Sequence, residues 1–195
     1  MKSLIISAVT FAAISLSACN GNNNQSKGNA NNPDTSASGQ PTANANTGVN
    51  SNNSTDAIVS GYLNLKNSLA EDNGSDAAKN GQEILDALSK FDASSLTPDQ
   101  KKVYLGLVGD LKENSEHIHE NADKIDHQRE HFEMLSKDMT DLLKATGTSK
   151  TMYVDSCPMY DNGKGTWLSE TTEIKNPYLG KKMPACGAVK ETIRK

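Results

Sequence analysis

Two short segments carry the residues best suited to chemistry: Cys157-Pro158-Met159 and Met183-Pro184-Ala185-Cys186-Gly187. Each cysteine lies two or three residues from a methionine. If the intervening chain folds back, two thiols and two thioethers can converge, and such soft sulfur donors suit Cu(I), with Zn(II) or Ag(I) behind it. The competing readings are that Cys157 and Cys186 form a disulfide, or are small buried hydrophobes, and that Met159 and Met183 fill core space.

Four histidines form a second set. His127 and His131 are four residues apart and share a helix face, with Met134 close by. Two imidazoles at that spacing can clip Zn(II) or Cu(II), and a third from His117 or His119 completes a credible site. The same stretch also reads as a solvated helix edge between a buried Ile125 and Phe132. Arg129 beside it is expected to pair with an acid of a neighbouring helix. Cys157 activated by His127 or His131 is a nucleophile on paper. With Pro158 directly after it and no oxyanion-hole or phosphate-cradling pattern in the chain, the reading is that the protein is not an enzyme.

The elements that must position these residues begin well into the 195-residue chain. Met1-Lys2-Ser3 followed by an apolar run from Leu4 to Ile14 is too short to span a bilayer and fits a signal-peptide core. It leads into Leu16-Ser17-Ala18-Cys19, which resembles the bacterial lipoprotein box. That resemblance implies cleavage before Cys19, lipidation of its thiol and a membrane anchor. Residues 19–54 are nearly all Asn, Ser, Gly, Ala, Thr, Gln and Pro. Such a segment has nothing to bury against the entropy of ordering, so it reads as a disordered tether with a span of about 30–35 Å. No acidic cluster follows Cys19, which favours a periplasm-facing over a surface-exposed lipoprotein; the anchor is expected at the outer membrane rather than the inner.

The remainder divides into a helical part, 55–147, and a C-terminal module, 148–195. Apart from Lys2, Lys27 and Asp34 all charged residues lie in this remainder, whose net charge is near −5 with histidines neutral. No basic patch gives nucleic-acid binding an electrostatic footing. Ile58, Tyr62, Leu65 and Leu69 predict a first helix over 56–72. Ser75 is the expected cap of a second helix running to Phe91, in which Gly81 costs about 1 kcal/mol relative to alanine. Thr97-Pro98-Asp99-Gln100 carries a capping box with proline at the first helical position. Beyond it Tyr104, Leu111, Ile118, Ile125, Phe132 and Met139 recur every seven residues to Gly147. One helix of that length would be about 70 Å long and would leave its stripe uncovered. A break within 119–123, with Asn121 or Asp123 capping a new helix, gives an antiparallel four-helix bundle in a mainly α fold.

After Gly147, Met152-Tyr153-Val154, the turn Asp161-Asn162-Gly163-Lys164-Gly165 and Thr166-Trp167-Leu168 predict a β-hairpin with Cys157 at its shoulder. It is too small to stand alone, so Trp167 and Tyr178 are expected to anchor it on the helices. The set of Leu-Lys-Asn-Ser-Leu at 65–69, Gln128-Arg129-Glu130-His131-Phe132, Cys-Pro-Met, Trp-Leu-Ser, Asn-Pro-Tyr-Leu-Gly-Lys-Lys-Met and Cys-Gly resembles a periplasmic domain of unknown function. That domain occurs in Bacteroidetes lipoproteins and is similar to one attached to adaptor subunits of copper/silver-type heavy-metal efflux systems. The resemblance covers about 56–195. It implies an efflux adaptor or pump as partner and metal buffering or delivery as the role. Cys-Pro-Met and Met-x-x-Cys-Gly also resemble heavy-metal-binding motifs of copper transport proteins, which often carry histidine after the methionine where this chain has Tyr160.

Overall fold

In the computed structural model, the described residues are 55–194. The leader, the lipidation site at Cys19 and the tether lie outside them. Four helices come first: α1 (Asp56–Ala70), α2 (Gly74–Lys90), α3 (Pro98–Glu120) and α4 (Ile125–Thr146). Three strands follow, β1 (Met152–Cys157), β2 (Gly165–Ser169) and β3 (Ala188–Ile193).

The helix boundaries follow local chemistry. Asp72 takes a left-handed conformation (φ 55°), which lets α1 reverse into α2 across three residues. Asn73, rather than the expected Ser75, caps α2, its side chain accepting from the Asp76 N–H at 3.0 Å. Asparagine at the reversal is already in place one turn ahead of those N–H groups. The Thr97 capping box forms as expected, with Pro98 at the start of α3. The helix that follows does break, but neither Asn121 nor Asp123 caps α4. Asn121 instead turns back to donate to the His117 carbonyl at 2.8 Å, closing the end of α3, and Lys124 precedes α4 without a side-chain cap. Gly147 ends α4 at φ 82°, a value that favours glycine.

The seven-residue stripe packs inward: Tyr104, Leu111, Ile118, Phe132 and Met139 are all buried, whereas Ile125, expected to be buried, is only partly so because it opens α4 beside the turn. Successive helices pack as antiparallel neighbours, while α1 and α4 meet through Tyr62 stacked on Phe132 at 5.3 Å. Gly81 allows the close approach of α2 to α3. A Cβ there would lie 2.8 Å from the Ser115 carbonyl oxygen, so the helix-weakening residue is also the packing contact.

The hairpin expected at the C-terminus is a three-stranded antiparallel sheet in the order β2-β1-β3. The third strand was not expected because Ala188 to Thr192 are exposed and only Ile193 is buried; it pairs as an edge without an alternating apolar face. Trp167 and Tyr178 are buried as anchors. The sheet shares one core with the helices, and β2 packs on α4. The Tyr62 hydroxyl bridges the two layers, accepting from the Leu168 N–H at 3.0 Å and pairing with Ser136 Oγ at 2.7 Å. Among the described residues, no helix is long and apolar enough to cross a membrane.

Candidate metal centres

Strand β1 ends at Cys157, and the chain returns to it through the turn that precedes β3. Both cysteines are free, and their Sγ atoms lie 2.8 Å apart. Cys157 is fully buried and Cys186 half-buried. Burial pushes the Cys157 thiol up. Hydrogen bonds from the Cys186 thiol, the Met159 and Tyr160 N–H groups and the Asn176 side chain outweigh it and hold Cys157 below the usual thiol range. Cys186 is raised first by its contact with the Cys157 sulfur and then by burial. The pair is therefore polarised, with the negative charge favoured on the inner sulfur.

The residue that builds this corner is Asn176, the first residue of the Asn-Pro-Tyr-Leu-Gly-Lys-Lys-Met motif. It is fully buried. Its side chain donates to the Cys186 carbonyl at 2.6 Å and accepts from the Tyr178 and Leu179 N–H groups at 2.9 Å each. Its own N–H donates to the Pro184 carbonyl at 2.9 Å. One amide thus fixes both turns of the returning segment. Met159 is 66% exposed and Met183 38% exposed. Neither is core filler, and both lie between the two cysteines in sequence. Two residues before Cys157, Asp155 is wholly buried, and burial raises its carboxyl to about 6, against the pull of Lys66.

The histidines separate into two kinds. His119 Nδ1 lies 3.1 Å from the Ala78 carbonyl, tying α3 to α2 and taking no part in a cluster. His117, His127 and His131 come together across the α3–α4 turn, each half-buried, with one ligand atom from each lying within 4.8 Å of the others. The His117 and His131 rings stack at 4.2 Å with an interplanar angle of 2°. His127 meets His131 edge-on at 4.6 Å. His131 Nδ1 pairs with Asn114 Oδ1 at 2.9 Å and His127 Nδ1 with Glu130 Oε2 at 3.3 Å. Burial, then the neighbouring His117 and His127, lowers the His131 pKa. Asn114 went unremarked in the sequence, although an antiparallel turn at 121–124 places position 114 opposite 131 and 117 opposite 127.

Arg129 pairs with an acid from outside its own helix, but that acid, Asp72, lies in the α1–α2 turn rather than on a neighbouring helix. Its Nη2 donates to Asp72 Oδ1 at 2.5 Å and to the Leu69 carbonyl at 3.1 Å, and its Nε to the Pro177 carbonyl at 2.9 Å. It is a fastener between α1, α4 and the segment that carries Asn176.

No curated protein and no solved structure matches the chain. Residues 58–151 match the model of a family described as "Protein of unknown function (DUF3347)", a span that covers nearly all of α1 and the whole of α2 to α4 with the histidine cluster, and that stops just before the strand bearing Cys157.

Proposed function

We propose that this is a lipid-anchored, periplasm-facing metal-binding protein that holds Cu(I) at Cys157 and Cys186 for buffering or delivery to an efflux system. The observation that carries the reading is the dithiol itself: two free sulfurs 2.8 Å apart, Cys157 buried and Cys186 half-buried. Two thiolates with few other donors suit a soft, low-coordinate monovalent ion. Met159 and Met183, both exposed, are the thioethers that lie nearest the pair in sequence. The anchor rests on the lipoprotein-box resemblance at Cys19. The efflux partner rests on the resemblance of the helical and sulfur-bearing motifs to domains on heavy-metal efflux adaptors.

A second reading is favoured by the same distance. Two thiolates with bonds of about 2.3 Å would sit about 3.8 Å apart on a tetrahedral ion and farther apart on the low-coordinate ion proposed here, so metal uptake requires the sulfurs to separate by at least about 1 Å. Disulfide formation requires them to approach. In that reading the pair is a staple and the bundle surface binds a partner protein. Anaerobic titration of the reduced full chain with Cu(I), against a chromophoric competitor, decides between them. One equivalent bound, and lost in Cys157→Ser and Cys186→Ser, supports the metal site. A chain isolated two protons light that takes up no Cu(I) after reduction overturns it in favour of the staple.

A further inference from the structure

We propose that His117, His127 and His131 form a second metal site, separate from the dithiol, for a divalent ion of the Zn(II) and Cu(II) class. Among the described residues this is the cluster in which three metal-ligating side chains meet, with one ligand atom of each within 4.8 Å of the others. It lies on α3 and α4, whereas the sulfur donors lie on β1 and the turn before β3.

The orientation of the rings supports ligation. Asn114 Oδ1 can only accept, so the His131 Nδ1 facing it carries the proton and Nε2 keeps its lone pair. Glu130 does the same for His127. Anchoring one ring nitrogen to a carbonyl or carboxylate while the other faces a metal is the usual support for a ligating histidine. Three nitrogens on a tetrahedral ion at about 2.05 Å sit about 3.3 Å apart, so the cluster must contract. His117 is the ring that turns. It stacks parallel on His131, and two parallel rings cannot both aim a lone pair at one ion, while His131 and His127 are held by their partners.

The surroundings suit a cation. A cleft of about 370 Å³ adjoins His131, one of the three rings, and its lining carries three carboxylates, Asp110, Glu113 and Asp138, against one cation, Lys137, a net negative balance. Three nitrogen donors are too few for a closed tetrahedral site and leave a position for water or an incoming ligand. Neutral imidazoles favour Cu(II) and Zn(II) over Mn(II) or Mg(II). The arrangement therefore reads as an open, exchangeable site.

The test is titration of the full chain carrying Cys157→Ser and Cys186→Ser with Co(II) and then Zn(II), which removes any sulfur contribution. The expected result is one equivalent of Co(II) with a d–d spectrum of nitrogen and oxygen ligation, displaced by Zn(II). His127→Ala and His117→Ala should each weaken Zn(II) binding by more than the roughly ten-fold that loss of a supporting partner costs, with unchanged circular dichroism, while His119→Ala leaves it unaltered. Asn114→Ala should weaken it as well, through loss of the His131 anchor. Failure of the sulfur-free chain to take up Zn(II), or equal losses in His119→Ala and His127→Ala, overturns the site. Neither result depends on Cu(I) binding at the dithiol, so the two proposals fail independently.

Discussion

Replacing Arg129 by methionine should release the returning sulfur segment from the bundle. Its side chain is 10% exposed and makes three bonds of consequence, to the Leu69 and Pro177 carbonyls and to Asp72; its contact with the 95% exposed Asp126 at 3.5 Å adds little. Losing the partner of each carbonyl costs about 1 kcal/mol, and the pair with Asp72, whose side chain is 37% exposed, adds about 1 kcal/mol after solvent screening. The expected loss is about 3 kcal/mol, or a fall in Tm of about 10 °C for a domain of this size. Lysine keeps the charge but cannot reach all three acceptors, so Arg129→Lys should lose about half as much. Asp72→Asn should cost about 1 kcal/mol, because the guanidinium keeps both carbonyls. Burial opposes the ionised Asp72 carboxyl, but Arg129 and the Lys181 N–H hold it below its ordinary value of 3.8. Its contribution is therefore present above that pH and lost as the pH falls through the folded value, and this acid limb should flatten in Arg129→Met. Urea unfolding measures the stabilities, and the rate of Cys157 alkylation in native conditions reports opening of the segment. A loss below 1 kcal/mol for Arg129→Met, or a lysine variant equal to the parent, would refute the role assigned to the three bonds.

Gly81→Ala tests whether packing or propensity governs α2. Helix propensity alone predicts a gain of about 1 kcal/mol, yet the new Cβ would meet the Ser115 carbonyl at 2.8 Å and the His119 N–H nitrogen at 3.1 Å, both backbone atoms that cannot swing aside. A net loss of about 1–3 kcal/mol in urea unfolding is expected, and a stabilised variant would contradict the close approach of α2 to α3. Oxidation of Cys157 and Cys186 would close a loop of about 30 residues, worth about 3–4 kcal/mol through the unfolded chain. Reduced and oxidised forms compared by thermal unfolding should differ in that direction, and an oxidised form no more stable than the reduced one would show that the bond strains the corner held by Asn176.

Much of the helical part was legible because its signals are local. The Thr97 box acts within four residues, and the buried stripe from Tyr104 to Met139 repeats at a spacing that only a helix places on one face. The break before α4 could be inferred from length alone, since a single rod would have left its apolar residues in water. Its chemistry could not, because Asn121 was free to bond backward to His117 as readily as forward. The end of the sheet was hidden for a related reason: β3 is defined by hydrogen bonds to β1, and its exposed side chains leave no pattern to read.

The sequence determined the donor inventory: two cysteines beyond Cys19, the methionines beside them, and imidazoles grouped on one helical stretch. It also determined the helices that bury Ile58 to Met139, because periodicity along a chain is itself the face of a helix. Only the tertiary structure decided which donors meet. It set Cys157 beside Cys186 through the buried Asn176 amide, left Met159 and Met183 at the surface, sent His119 to the Ala78 carbonyl and gathered His117, His127 and His131 around Asn114 and Glu130. The meetings between separate elements join residues 10 to 41 positions apart. Their geometry depends on how the α3–α4 turn and the returning segment close, and closure is a property of the packed core.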